Sequence, residues 1–281
     1  MGAVLGIDLG GSTTKIAGLK YDGELIGTLQ VKASDQITSV YGAIGHFLQT
    51  YKLEIKDINK IVLTGVGASF ISCNLYNIPT YRMAEFQAVA RGGCRLAGFS
   101  LSEETLVVSM GTGTAFIRVS GGTVTHIGGS GIGGGTLVGL SVGLLNENDI
   151  TEVARLAEDG CTANVDLTIQ DISKGTIPNL PPHATAANLG KMKNNPPAPD
   201  VAAGLLNLIF QVIGIMAAFA CKNSKITNVV LTGTLTMLSI ARKIFTNVGR
   251  LHNLNFIVPE NSVFAGAIGA AAASDTDLTA V

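Results

Sequence analysis

Val4-Leu-Gly-Ile-Asp-Leu-Gly-Gly-Ser-Thr-Thr-Lys15 begins as an apolar run and breaks into a carboxylate, two glycines, three hydroxyls and a lysine. Val4 to Ile7 read as a buried strand. Gly10 and Gly11 allow a turn tight enough to aim several backbone N–H groups at one anion. Asp8, at the strand's end, would then hold the cation that neutralises that anion. The same carboxylate equally suits a turn cap in an N-terminal hairpin.

The remainder of the chain decides between these readings, because the layout occurs twice. The first copy reads as strands at 4–8, 15–21 and 25–31, with a tight turn at Asp22-Gly23. The second reads as strands at 106–109, 115–120 and 123–127, opened by Gly111-Thr112-Gly113-Thr114 and turned at Gly121-Gly122. Each three-stranded meander leads through helical sequence to the same tetrapeptide, Val62-Leu-Thr-Gly65 and Val230-Leu-Thr-Gly233. An apolar run ending in Thr-Gly suits a buried parallel strand that delivers a loop to a cleft. Strand and helix patterns follow again, at 78–83 with 85–96 and at 255–258 with 262–273. Each copy is expected to run strand-strand-strand-helix-strand-helix-strand-helix. Two glycine-rich turns facing each other across a hinge would grip a polyphosphate from both sides.

A chain of 281 residues exceeds the usual single core and points to two lobes, expected at 1–102 and 103–281. A net charge of -1 from 14% charged residues, with no basic run, excludes a nucleic-acid surface. No basic, apolar and small-residue leader precedes the first strand, and a cytosolic chain is expected. Cys73, Cys94, Cys161 and Cys221 lack CxxC spacing and are expected as reduced thiols, not disulfides or zinc ligands. Val201 to Ala220 is nearly long enough to span a bilayer. Its amides Asn207 and Gln211 lie four apart on one helix face, and no basic or aromatic belt flanks it. A buried or dimer-interface helix is the expectation, without membrane contact.

The sequence resembles the actin, hexokinase and Hsp70 ATPase superfamily, and within it the type II pantothenate kinases. The resemblance covers nearly the whole chain. It is carried by Gly6-Ile-Asp-Leu-Gly-Gly-Ser-Thr-Thr-Lys15, Ala84-Glu-Phe-Gln-Ala88, Met110-Gly-Thr-Gly-Thr114, Ile127-Gly-Gly-Ser-Gly-Ile-Gly-Gly-Gly-Thr136 and Asn261-Ser-Val-Phe-Ala-Gly-Ala-Ile-Gly269. It implies an α/β fold, a duplicated ribonuclease H-like (actin-like ATPase) architecture with two lobes around a nucleotide cleft. It also implies ATP and Mg²⁺, a small-molecule acceptor, a homodimer and a coenzyme A or acyl-CoA ligand.

Six glycines in eight positions, 128–135, precede a helical run at 137–145. A glycine run that opens a helix offers free N–H groups and the positive end of the helix dipole to an anion. Neither a Walker A loop nor a dinucleotide fingerprint fits: no Gly-Lys-Ser/Thr closes the run and an antiparallel meander precedes it. The phosphate-binding set expected is Gly10, Gly11, Ser12, Thr13, Thr14 and Lys15 from the first turn. Gly111, Thr112, Gly113 and Thr114 come from the second, and Gly133, Gly134, Gly135 and Thr136 from the glycine run. Gly233 and Thr234 would border the adenosine, as the resemblance implies. Lys15 reads equally as a strand lysine with its head in solvent. Asp8 would coordinate Mg²⁺, largely through water.

Glu85 lies between an extended and a helical segment, beside apolar Met83, Ala84 and Phe86. On spacing alone it serves equally as a helix N-terminal carboxylate. The resemblance assigns it the catalytic role, accepting the proton of the acceptor's primary hydroxyl. At the position where these kinases carry an arginine that binds pantothenate, this chain has His126, which offers neither the planar fork nor the fixed charge. Arg118, on the preceding strand, could substitute in space, and strand alternation leaves open which face it uses. The implied function is ATP-dependent phosphorylation of pantothenate, the first step toward coenzyme A. The competing readings are a kinase for another small hydroxylated acceptor, an ATP-driven activator of a 2-hydroxyacyl-CoA dehydratase, and a nucleotide sensor without turnover. His183 and Asn188, in the Pro-rich approach at 178–199, are expected in an interface loop.

Overall fold

The computed structural model describes residues 2–32, 35–175, 177–178 and 180–281. The first meander is β1 (Ala3–Leu9), β2 (Thr13–Lys20) and β3 (Leu25–Lys32), followed by α1 (Gln36–Tyr51), β4 (Ile58–Thr64), β5 (Thr80–Arg82) and α2 (Glu85–Ala97). The second is β6 (Thr105–Met110), β7 (Thr114–Ser120) and β8 (Thr123–Ser130), followed by α3 (Gly134–Leu145) and α4 (Ile150–Glu158). An excursion of β9 (Leu167–Thr168), α5 (Ile169–Ile172) and β10 (Thr185–Ala187) leads to the long α6 (Ala198–Cys221). The chain ends with β11 (Asn228–Thr232), α7 (Ile240–His252), β12 (Asn255–Ile257), α8 (Ala265–Ala271) and β13 (Thr279–Ala280).

The duplication is visible in strand order. One sheet runs β13-β5-β4-β1-β2-β3 and the other β12-β11-β6-β7-β8. In both, the meander is antiparallel and the Thr-Gly strand pairs parallel with the meander's first strand. The registers correspond: Asp8 lies opposite Thr64, and Ser109 opposite Thr232. Each pair sits at the carboxyl end of its parallel strands, where open α/β sheets bind ligands.

Two expected features differ. In the first copy the helix between the Thr-Gly strand and the next strand is a single 3-10 turn, Val66–Phe70. The glycine run is not all loop, because β8 continues through Gly128 and Gly129 to Ser130, paired with β7. Backbone pairing needs no side chain, so a glycine-rich edge strand is compatible with the composition.

One core joins Leu5, Ile7, Leu9, Ile16, Ile61 and Leu63 to Val40, Ile44 and Phe47 of α1. The other surrounds α6, whose Leu205, Leu206, Ile209, Phe210 and Ile213 are fully buried. Helix α6 is long and apolar enough to cross a membrane, but its apolar face fills this core. Its amides share a face as expected: Asn207 donates to the buried Asp166 at 2.6 Å and Gln211 to Thr185 at 3.0 Å. The 161–192 excursion is thereby fastened onto it. His183 is exposed in that excursion, and Asn188 is partly buried.

Two helices exchange sides. Helix α2 follows the first sheet, yet Val89, Ala90 and Cys94 pack on Val107, Ile117, Val119 and Val230 of the second. Helix α8 follows the second sheet, yet Ala267, Ile268 and Ala270 pack on Ala17, Val62 and Met83 of the first. The two helices touch backbone to backbone, since a Cβ on Gly92 or Gly269 would strike the Ala265 or Ala88 carbonyl. Strands β1–β5 lie before residue 103 and β6–β12 after it, while β13 returns to pair with β5. Cys94 and Cys221 are buried, and burial pushes both thiols up to about 11; Cys73 and Cys161 are exposed and free.

Candidate active site

A cleft of about 870 Å³ opens between the sheets, walled by the turns that end β1 and β6 and by the first residues of α2, α3 and α8. From the first turn, Gly10, Gly11, Ser12, Thr13 and Lys15 line it, with Asp8 at its floor. Thr14 does not: β2 alternates, so the side chain between Thr13 and Lys15 faces the interior and is fully buried. From the second turn, Gly111, Thr112, Gly113 and Thr114 all line the cleft, and so do Gly134, Gly135, Gly233 and Thr234. Gly133 and Thr136 lie outside the lining. Gly133 is packed against the Thr112–Gly113 backbone, and the Thr136 hydroxyl donates back to the Gly131 carbonyl.

The helix α3 N-terminus is arranged differently from a bare anion site. The amides of Gly134 and Gly135 donate to the carbonyls of Gly111 and Thr112 at 2.8 and 2.9 Å. These bonds lock the glycine run to the second turn. Among the described residues, the cleft-lining amides of Gly11 and Ser12 on one side and of Thr112 and Gly113 on the other have no protein acceptor. Two turns of related sequence thus present free donors to one space, a backbone nest for an anion.

Asp8 accepts no hydrogen bond from a described protein group. Its surroundings keep side chains away: a Cβ on Gly65 would lie 2.6 Å from one carboxylate oxygen and on Gly266 2.7 Å from the other. Gly65 also has φ +85°, a conformation that favours glycine. Its counterpart Gly233 has φ +92°. Neither Gly65 nor Gly266 is expected in the site from spacing, although repetition of Val-Leu-Thr-Gly marks the first.

Lys15 is buried and reaches across the cleft, Nζ lying 3.4 Å from the Thr234 hydroxyl of the opposite lobe. Its head is therefore in the site and not in bulk solvent. Glu85 opens α2 with no side-chain cap before it. Glu85 is exposed to the open cleft, yet desolvation by the cleft walls raises its pKa, the Asp8 charge adds to the rise and Lys15 opposes it. Burial likewise raises Asp8, with Lys15 opposing. The three groups form one electrostatic unit. His126 lines the cleft beside Glu85, its ring stacked on Phe86 at 4.0 Å between centroids and 9° between planes. Arg118 does not substitute for it: its guanidinium donates to the Ala220 carbonyl at 3.0 Å, at the end of α6. Strand alternation sends Arg118 to the same side of β7 as Phe116, toward the second core. Asp22 and Asp149 serve turns, accepting from the amides of Glu24 and Thr151.

The Fumble family model matches residues 104–271. A type II pantothenate kinase of Staphylococcus aureus (strain USA300) is 28% identical over 277 residues, covering 95% of this chain and 97% of the relative. Among solved structures, the activator of the 2-hydroxyisocaproyl-CoA dehydratase from Clostridium difficile with bound ADPNP superposes with a TM-score of 0.66. It is 16% identical and covers 96% of this chain and 92% of that one. A ROK hexokinase from Thermus thermophilus gives 0.57 at 15% identity, covering 96% and 97%. At these identities the superpositions speak for the fold, which is the duplicated actin-like ATPase architecture.

Proposed function

The chain belongs to the Fumble family, the family of the type II pantothenate kinases, and from that premise we propose that it transfers the γ-phosphoryl group of ATP to the primary hydroxyl of pantothenate or a close analogue, the first step of coenzyme A biosynthesis. The observation that carries this reading is Glu85, a carboxylate of raised pKa in the same cleft as two turns with free amide donors. Phosphoryl transfer calls for a phosphate cradle and a group that receives or orients the nucleophile's proton.

In this reading the β- and γ-phosphates lie between Gly11-Ser12 and Thr112-Gly113, with Lys15 beside them and Gly233-Thr234 toward the adenosine. The acceptor oxygen attacks the γ-phosphorus, its proton passes to Glu85, and the bond to the bridging β-γ oxygen breaks to release ADP. Asp8 fits a magnesium site, because it is an oxygen ligand without a protein donor in a place that two glycines keep open. When bound, the ion supplies charge neutralisation at the phosphates. The lobes, proposed as 1–102 and 103–281, close on the nucleotide from either side. Self-association into a dimer is part of the proposal, as the family resemblance implies; sedimentation at the monomer mass would remove that part.

The reading as a dehydratase activator calls for paired cysteines, and here Cys221 is enclosed in the second lobe's core while Cys161 is exposed. Incubating the protein with ATP, Mg²⁺ and a panel of pantothenate, pantetheine and small polyols tests the proposal by mass spectrometry. A phosphorylated pantoyl compound is expected. Phosphorylation of a polyol alone would move the assignment to another acceptor.

A further inference from the structure

The cleft-lining amides of Gly11, Thr112 and Gly113 each belong to a peptide unit shared with the preceding carbonyl. In a trans peptide the N–H and the C=O point in opposite directions, so whatever holds the carbonyl also aims the N–H. In the second turn backbone groups do this. The Gly111 carbonyl, twin of the Thr112 amide, accepts from the Gly134 N–H at 2.8 Å, and the Thr112 carbonyl, twin of the Gly113 amide, accepts from the Gly135 N–H at 2.9 Å. Gly134 is the first residue of α3, the helix that follows the second meander.

The first turn meets the same requirement with a side chain. Helix α1 follows the first meander, and its first residue is Gln36. The Gln36 amide nitrogen donates to the Gly10 carbonyl, twin of the Gly11 N–H, at 3.1 Å. The two carbonyls are counterparts, because Asp8 and Ser109 hold equivalent registers and Gly10 and Gly111 each lie two residues further on. A Gly-Gly peptide turns over easily, since neither flanking residue has a Cβ to restrict it. The bond from the Gly10 N–H to the Thr13 carbonyl, 3.0 Å, closes the turn but does not touch the peptide between Gly10 and Gly11. Asp35 fixes the start of α1 by accepting from the Thr38 N–H at 2.7 Å, and Gly67 leaves room for the Gln36 amide: a Cβ there would lie 2.6 Å from its Oε1. Gln36 is outside the cleft lining and so acts on a ligand only through the turn.

We propose that Gln36 is a positioning residue for phosphate binding: its side-chain amide holds the Gly10–Gly11 peptide in the orientation that presents the Gly11 N–H to the nucleotide, the duty that the Gly134 backbone performs in the other lobe. The proposal rests on the reading of the cleft as a nucleotide site and names the residue that sets one side of its anion nest.

Gln36→Met keeps the length of the side chain and removes the donor, whereas Gln36→Glu keeps its shape and sets an acceptor against the Gly10 carbonyl. Calorimetric titration with a non-hydrolysable ATP analogue and Mg²⁺, and displacement of that analogue by adenosine, test the proposal beside the melting temperature of each protein. Both variants are expected to weaken the analogue about fivefold or more, the worth of one hydrogen bond, with adenosine within about twofold of wild type because it does not reach the first turn. In turnover the KM for ATP should rise by a similar factor while that for the acceptor stays unchanged. Unchanged affinity for the analogue in both variants overturns the inference and leaves the nucleotide reading standing. An equal loss for the analogue and for adenosine also overturns it, because general loosening of the lobe would act on both. A wild-type protein that does not bind the analogue overturns the nucleotide reading, and this inference with it.

Discussion

Glu85 stands where desolvation and a neighbouring carboxylate act in the same direction. Both favour its protonated form, and Lys15 opposes them. If it receives the acceptor's proton, Glu85→Gln should leave ATP affinity within a few-fold and lower turnover by roughly a hundredfold or more, the usual worth of a positioned base. Near-normal turnover would reassign the residue to capping α2. The charge coupling makes a separate prediction about pH. Carbon NMR titration of the Glu85 carboxyl in the nucleotide-free protein should give a midpoint above the ordinary glutamate range. Asp8→Asn should move that midpoint down, because a like charge is removed; Lys15→Gln should move it up, because an opposing charge is lost. No movement in either variant would mean that the three side chains are farther apart than the cleft geometry implies. Asp8 was legible in the sequence because it interrupts an apolar run beside two glycines, whereas Glu85 was singled out by the family resemblance, since on spacing alone it reads equally as a helix N-terminal carboxylate. Their mutual influence was not legible, since it depends on the end of β1 and the start of α2 facing one cleft. Thr14 was misread for a local reason, as a hydroxyl in a Ser-Thr-Thr run takes its direction from strand alternation and not from composition.

Helix α3 shows why a glycine run is ambiguous in sequence. Its first two amides bond to Gly111 and Thr112, so the run serves partly to seat the second turn and not only to present donors. A Cβ on Gly134 would lie 3.0 Å from the Gly111 carbonyl oxygen. Gly134 has no positive φ, so crowding is the physical reason that a larger residue should disturb the site. Gly134→Val is expected to weaken nucleotide binding about tenfold or more in calorimetric titration, by pushing the turn at 111–113 out of line. Unchanged affinity would detach that turn from the nucleotide. The strands of the two meanders and their Thr-Gly partners were readable almost to their ends because apolar runs and tight turns punctuate them, whereas the short β9, β10 and β13 were not read. The helix expected after β4 is missing: residues 66–78 hold Gly67, Asn74, Asn77 and few strong helix formers, and a 3-10 turn followed by the Leu75–Ile78 bridge takes its place.

At the scale of the molecule, duplication supplies two similar turns, and the crossing of α2 and α8 brings them to one cleft. The repeat was legible through Val-Leu-Thr-Gly and the two meanders. The exchange of helices was not, because small residues such as Gly92 and Gly269 announce close packing without naming the partner. The returning β13 likewise ties the chain's end to the first sheet, which a boundary drawn along the sequence cannot express. In the proposed mechanism one nucleotide joins both halves, with its terminal phosphate between the turns and facing Glu85. Crystallising the protein with a non-hydrolysable ATP analogue, Mg²⁺ and an acceptor measures this most directly. The expected result is phosphates held by the amides of Gly11, Ser12, Thr112 and Gly113, the ion on Asp8, and the acceptor hydroxyl within hydrogen-bond reach of Glu85. Phosphates bound outside these two turns, or an acceptor hydroxyl remote from Glu85, would contradict it.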